Sequence, residues 1–357
     1  MEFKTVEAAE ALPLLKKHFN WLTEKYNRAP GLLPIYQKLL KGDSLILRRR
    51  FEQVLWGAWD GGVLVAVLPV LFSKAGFQPV RLGNLLLDPD YQHLGPEILS
   101  LFQSKLKQLP MGWMGPLHGH FCLGISIPEN PEPDSTFLTA HDWGWDRALL
   151  KPLASRTSTL VALRTELDTS TRQKVKQTAV AQCPAEYSIR PFCKWRAKRD
   201  AMIYNRLANL SMHHHPDFDS LTPEEDWELL KNSLLAIVPD YFLFLYHKDK
   251  PIGFCWGIPD YQEALTGQRS TLGYLAQLLK KSRYHRGRII YSCILPEYQG
   301  QGLCKLIRHR VLNNMIRDGI EVVESSYIHT ENENSLSNAQ STGAQLSHRF
   351  HYFHGEA

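Results

Sequence analysis

Two stretches, PDYQHLGPEIL (Pro89–Leu99) and PEYQGQGLCKL (Pro296–Leu306), repeat one phrase, and each stands at the same point in a repeated order of elements. Ahead of the first, KTVEAAEALPLLKKHFNWLTEKY carries apolar residues at helical spacing after a short strand-like start. FEQVLWGAWDGGVLVAVLPVLF then reads as two strands around Asp60-Gly61-Gly62, a tight-hairpin signal, and RLGNLLLDPD as a third strand. The phrase itself opens a helix through EILSLFQSKLKQL.

The second half runs in the same order. Tyr187–Phe192 reads as a strand and CKWRAKRDAMIYNRLANL as a basic amphipathic helix. Thr222-Pro223-Glu224-Glu225 combines an N-cap, a first-turn proline and a capping-box glutamate, and opens another helix. DYFLFLYHKDKPIGFCWGIPD gives two strands around Lys248–Lys250; a helical insert near GYLAQLLKKS and the strand RIIYSCILP lead into the second copy and a helix to Asp318. The strand IEVVESSYI, a short helix near Ser335–Ser341 and the strand-like QLSHRFHYFH close the chain. The repetition predicts an α/β fold of two related modules, each a twisted mixed sheet flanked by helices. A length of 357 residues suits two domains. LDTSTRQKVKQTAVAQCPAEY is polar and free of aromatics until Tyr187, which places the modules at 1–166 and 187–357, with 167–186 as a connecting helix.

Composition narrows the classes. At 44% apolar and 22% charged residues either half can bury a core, and a net charge of +5 suits a polyanionic small ligand but lacks the density of a dedicated nucleic-acid binder. The six cysteines have no CxxC spacing, which argues against a zinc ribbon and a disulfide scaffold. MEFKTVEAAEAL lacks the marks of a signal peptide and no apolar run reaches about 18 residues, so the expectation is a soluble cytoplasmic protein.

The second copy carries the chemistry. At a strand-to-helix junction Gln299, Gly300, Gln301, Gly302, Leu303 and Cys304 present successive backbone N–H groups. The two glycines permit the tight turn that brings those groups against a ligand, and the positive end of the helix favours phosphate there. This segment resembles the signature of the GNAT superfamily of acyl-CoA-dependent N-acyltransferases, in which Gln or Arg, two residues, Gly, one residue and Gly or Ala follow the fourth strand. Cys304 stands where Gly or Ala is usual. The resemblance covers residues from about 187 onward and includes Asn332 with Gly343 eleven residues later.

The resemblance implies a fold of tandem GNAT-like modules. It further implies coenzyme A pyrophosphate on the N–H groups of 299–304, pantetheine beside the strand that includes Cys293, Ile294 and Leu295, and Asn332 near the pantetheine or the acceptor. Acetyl-CoA is the default donor, with no metal, and the acceptor is an amine of a small molecule or peptide. The tyrosine that many members carry seven residues after the asparagine, as acid for the leaving thiolate, is Ala339 here. Tyr327 and Tyr352 are the candidates to replace it, and Glu324, Glu331 and His329 are the candidate bases.

In the first copy His93 replaces a glycine, Pro96 removes an N–H and Glu97 puts a carboxylate in the first turn. The expectation is a GNAT-like N-terminal module that does not bind coenzyme A. His213-His214-His215 and His118-Gly119-His120 read as loops rather than metal sites, and Trp143 and Trp145 as core or interface packing. The basic run Lys280, Lys281, Arg283, Arg286, Arg288 reads either as a solvated loop or as steering for an anion. Cys293 and Cys304 read as core filling. Two other functions stay open: an aminoacyl-tRNA-dependent transferase, since tandem GNAT-like folds serve that chemistry and 190–206 and 280–288 are basic, and a non-catalytic acyl-CoA-binding regulator.

Overall fold

A computed structural model of the chain describes residues 1–26, 33–76, 79–115, 127–128, 145–180, 184–213, 218–261 and 284–356. The described residues fall into two compact units, the first containing Met1–Leu160 and His348–Ala357, the second Val161–Ala264 and Leu275–Ser347.

In the first unit β1 (Glu2–Thr5) leads to α1 (Ala8–Tyr26), α2 (Leu33–Leu40) and α3 (Leu45–Arg50). The hairpin of β2 (Phe51–Asp60) and β3 (Val63–Ser73) turns on Gly61 and Gly62, both at positive φ (53° and 85°), as a two-residue turn of this hand requires. Then come β4 (Val80–Leu82), β5 (Leu86–Leu87), α4 (Gly95–Leu106), β6 (Trp113–Gly115), β7 (Ile127–Pro128), α5 (Trp145–Leu150) and β8 (Arg156–Glu166). The strands run β1-β2-β3-β4-β6, with β4 and β6 parallel. β3 is buried from Val65 to Leu71 because both its faces are covered. Val67 meets Ala11, Leu14, Leu15 and Phe19 of α1, spaced to lie on one helix face, while Leu68 and Val70 join Ile98 and Phe102 of α4.

The second unit takes up the later part of β8 and continues with α6 (Thr169–Val180), β9 (Tyr187–Pro191), α7 (Ala197–Met212), α8 (Pro223–Ser233), β10 (Phe242–His247), β11 (Lys250–Pro259), β12 (Arg286–Ile294), α9 (Leu303–Arg317), β13 (Val322–His329), α10 (Glu333–Gln340) and β14 (Gln345–Gly355). Its strands run β13-β12-β11-β10-β9, antiparallel except for the parallel pair β12–β13. The capping box of α8 is formed in full: Glu225 N–H donates to Thr222 Oγ1 (3.3 Å) and Thr222 N–H to Glu225 Oε2 (2.8 Å).

Alternate residues of β11 address opposite faces. Phe254 and Trp256 set their rings against Tyr204 of α7, with centroids at 5.0 and 5.7 Å, whereas a Cβ on Gly257 would run into Val311 and Met315 of α9. The β11–β12 register slips between Trp256↔Tyr291 and Gly257↔Ile289, leaving Ile290 as the extra residue of a bulge. Its consequence is a change of face. Gly287, before the bulge, faces Met315 of α9; Tyr291, after it, faces Tyr204 and Phe254. Ser292 is thereby turned toward α9.

Two boundaries differ from the sequence expectation. The 167–186 stretch, expected as a connector, holds α6, which packs on α9 inside the second unit and buries Val175 and Ala179, one turn apart. The units divide at Leu160/Val161, within β8, and His348–Gly355 of β14 belongs to the first unit. There Ser155 N–H donates to His354 O (2.8 Å), and Phe353 and His354 pair with Gly115 and Met114 of β6. Strand pairing decides this, and nothing in the composition of the 167–186 stretch encodes it. The helical insert near GYLAQLLKKS lies outside the described residues.

Candidate functional site

The junction between β12 and α9 is built as its residues dictate. Gly302 is the N-cap of α9 at φ 73°, ψ 3°, and Gly300 has φ 77°, a conformation that costs an L-residue about 1–2 kcal/mol. A Cβ at either glycine would meet nothing within 4 Å, so the glycines serve the turn and the space above them is open. No side chain caps the helix, and its first turn holds no acid. Leu306 N–H closes the first bond, to Gly302 O at 3.0 Å, which leaves the N–H groups of Leu303, Cys304 and Lys305 directed out of the helix end. That is an anion cradle backed by the helix dipole.

Neighbouring groups hold the loop. Gln299 gives its N–H to Pro296 O (3.1 Å) and its Nε2 to Ile294 O (3.0 Å), so it braces the turn rather than lending a donor to a ligand. Gln301 Oε1 accepts from Tyr187 O–H at 3.0 Å. The expected run of N–H donors thus narrows from 299–304 to the residues after Gln299.

Beyond the cradle, β12 and β13 pair from Arg286↔Val322 to Ile289↔Ser325, and β12 runs on to Ile294. Cys293 turns its thiol toward α7 and Leu207 O (3.8 Å), where burial pushes its pKa up to about 12; Ile294 and Leu295 are buried, and Leu295 N–H bonds Ile252 O (2.8 Å). The face toward α9 is polar. The Ser292 hydroxyl and the Asn338 amide lie against the Cys304 thiol, with Asn338 Nδ2 donating to Sγ at 3.1 Å, and burial raises the pKa of that thiol. One turn further along α9, Arg308 is buried at 2% exposure and donates through Nη2 to Ser325 Oγ at 2.8 Å. Sequence reading missed Arg308, Ser292 and Asn338. The available signal was an arginine in LCKLIRHRVL at a core-facing position, four residues after Cys304 and flanked by Ile307, Val311 and Leu312.

The catalytic candidates separate into two groups. Glu324 is buried and is the register partner of Arg288, whose guanidinium lies 4.9 Å from the Tyr327 ring centroid. Register partners share a sheet face, so Glu324 lies beside Arg288, and the Arg288 guanidinium reaches on to Tyr327. Glu331 is 82% exposed and sits 3.9 Å from buried His329 at the end of β13; Glu331 N–H points at His329 Nδ1 (3.5 Å). Asn332 caps α10, its Oδ1 accepting from Ser335 N–H at 3.0 Å. Ala339, at the position where the resemblance implies a tyrosine, is buried against Val161 and Leu163 of β8. Tyr352 is buried in the first unit. Arg288 of the basic run is therefore a buried charge rather than a steering one, while Lys280, Lys281 and Arg283 lie outside the described residues, as do His118, His120, Trp143, His214 and His215. Among the described residues no cluster of His, Cys, Asp or Glu could hold a metal ion, and no helix is long and apolar enough to cross a membrane.

Residues 205–343 match the family model for the acetyltransferase (GNAT) family. No curated protein matches the chain. Among solved structures the chain is similar over its whole length to a tandem GNAT protein from the clavulanic acid biosynthesis pathway (14% identity, 99% of this chain and 98% of that one, TM-score 0.59). It is similar also to a GCN5-related N-acetyltransferase from Sphaerobacter thermophilus (14%, 99% and 95%, 0.52) and to a GNAT-family acetyltransferase from Colwellia psychrerythraea (11%, 100% and 100%, 0.50). At these identities the likeness is one of fold, and that fold is the tandem GNAT arrangement.

Proposed function

We propose, for a chain whose second unit carries a GNAT-family acetyltransferase domain, that this unit binds an acyl-CoA at the β12–α9 cradle and transfers the acyl group directly to an amine of a small molecule or peptide. The observation that carries the reading is the pair of left-handed glycines, Gly300 and Gly302, opening an uncapped helix onto free space. The residues fit the cosubstrate: N–H groups from Gly300 to Cys304 hold the pyrophosphate, and Tyr291 to Ile294 of β12, paired with β11 on one side and past the described β13 pairs on the other, border the pantetheine. The bound thioester supplies an activated acyl group, with acetyl-CoA as the simplest donor.

The chain's own part is to orient the amine, take its proton and manage the thiolate. His329 and Glu331 form a buried-to-exposed pair and pass the amine proton to solvent. Glu324 is held opposite Arg288, which suits it to positioning Tyr327, and Tyr327 supplies the proton for the leaving thiolate in place of the tyrosine that Ala339 replaces. Burial keeps Cys304 a neutral thiol, so transfer does not pass through it.

Calorimetric titration with coenzyme A is expected to show one saturable site per chain. A second site, or no binding, overturns the reading. Release of free thiol from acetyl-CoA over a panel of amines then separates a transferase from an acyl-CoA-binding regulator, which would bind without turnover.

A further inference from the structure

Among the described residues Arg308 is a charge without a counter-charge. Its guanidinium has five N–H donors, and among the described residues its one hydrogen bond is to Ser325 Oγ; Nε is buried with no acceptor, and no ion pair to it is present. The ionisable groups that act on it are the Cys255 and Cys304 thiols, not carboxylates, and burial disfavours its charged form. Removing a guanidinium from water without a fixed anion costs several kcal/mol, and an apolar residue would serve a plain core better. The neighbours on the same helix face, Ile307, Val311, Leu312 and Met315, show what such a core looks like.

Its place relative to the cradle is specific. Arg308 lies one helical turn past Cys304, and its partner Ser325 is the register mate of Ile289, the last described pair of β12 and β13. Ile289 stands five residues before Ile294, whose carbonyl anchors Gln299 at the mouth of the cradle. With the bulge at Ile290 this stretch runs alongside four steps of β11, about 13 Å, a distance an extended pantetheine arm covers. The interval is lined on the α9 side by Ser292, Cys304 and Asn338, all polar. A group at the end of that arm would reach Arg308.

Resting on the acyl-CoA reading, we infer that Arg308 binds a carboxylate at the far end of the donor's acyl chain, so that the preferred donor class is a short dicarboxylic acyl-CoA thioester. A planar guanidinium with free donors matches a carboxylate by paired hydrogen bonds, and supplies the missing partner for a charge the fold leaves unpaired.

The test needs no turnover. Calorimetry compares two stable thioethers of equal carbon count, S-(3-carboxypropyl)-coenzyme A and S-butyl-coenzyme A, with free coenzyme A as a third ligand. The carboxylated thioether is expected to bind the natural chain at least tenfold more tightly than the butyl one. Arg308→Met is expected to abolish that ratio and leave the affinity for free coenzyme A within about twofold, while its melting temperature holds or rises because a buried unpaired charge has gone. Should Arg308→Met fail to fold, the natural chain's own ratio and the milder Arg308→Lys, expected to keep only part of the preference, decide the matter. Equal binding of the two thioethers by the natural chain, or a ratio that survives Arg308→Met, overturns the inference while free coenzyme A still binds. Loss of binding to all three ligands by the natural chain overturns the acyl-CoA reading and this inference with it.

Discussion

The two strand-to-helix junctions begin alike and end as opposites. At Pro89–Leu99 the Asp88 side chain accepts from Asp90 N–H (2.9 Å), and Lys17 Nζ reaches both Asp88 and Asp90 at 2.6 Å, so the turn is stitched to α1. Gly95 is right-handed at φ −47°, and Trp145 fills the place where its side chain would stand. Pro96 and Glu97 occupy the first turn of α4, and Leu94 provides no side-chain cap. At Pro296–Leu306 the glycines are left-handed, the space above them is open and no acid stands in the first turn. One fold element can thus be a packing joint or an open, uncapped helix end, and the choice lies in a few residues that decide where N–H groups point and what fills the space before them.

The comparison breaks most sharply at Gly302. Gly302→Glu forces a left-handed conformation on a residue with a Cβ and brings a carboxylate to the cradle, and is expected to weaken coenzyme A binding at least a hundredfold by calorimetry. The mirror experiment is Gly95→Ala, which drives a methyl group into the Trp145 ring. It is expected to cost about 3 kcal/mol in urea unfolding and to leave coenzyme A affinity unchanged, as the proposed division of roles requires. Full affinity after Gly302→Glu, or lost affinity after Gly95→Ala, would assign the roles the other way round.

The units also share a weakness. His18 in the first donates Nδ1–H to Leu87 O (2.8 Å), and His309 in the second to Lys305 O (2.7 Å). Both are almost wholly buried, and desolvation holds each pKa down at about 4 despite the carbonyl. The folded pKa lies below the unfolded value near 6.5, so the stabilising effect is present above pH 6.5 and is lost as pH falls toward 4. Unfolding by urea is expected to show a loss of about 2 kcal/mol per histidine between pH 7 and pH 5. His18→Gln or His309→Gln should flatten the acid limb of its own unit only; an unchanged limb in both would remove the histidines from the account.

How much was legible depends on range. The hairpin at Gly61-Gly62, the capping box at Thr222 and the glycine pair of the cradle rest on local rules, in which a residue's identity limits its own backbone, and these emerged where the residues placed them. The closing of the first junction was half legible. His93, Pro96 and Glu97 signalled it, but Lys17 and Trp145, which stitch and fill it, lie 73 residues before Asp90 and 50 residues after Gly95. Ala339 showed in sequence that an expected acid was missing, whereas only packing revealed that its position faces Val161 and Leu163.

The sequence by itself determined the repeated order of elements, the left-handed turns and the exposed helix N-terminus of the second copy, because periodicity and glycine placement act over a few residues. The tertiary structure alone decided that α6 belongs to the second unit, that the last strand returns to the first, that the Ile290 bulge turns Ser292 toward α9, and that Arg308 is buried opposite Ser325 with no counter-charge among the described residues. Those outcomes depend on which strands pair and which faces meet, and a contact between distant segments leaves no trace in the residues around either one.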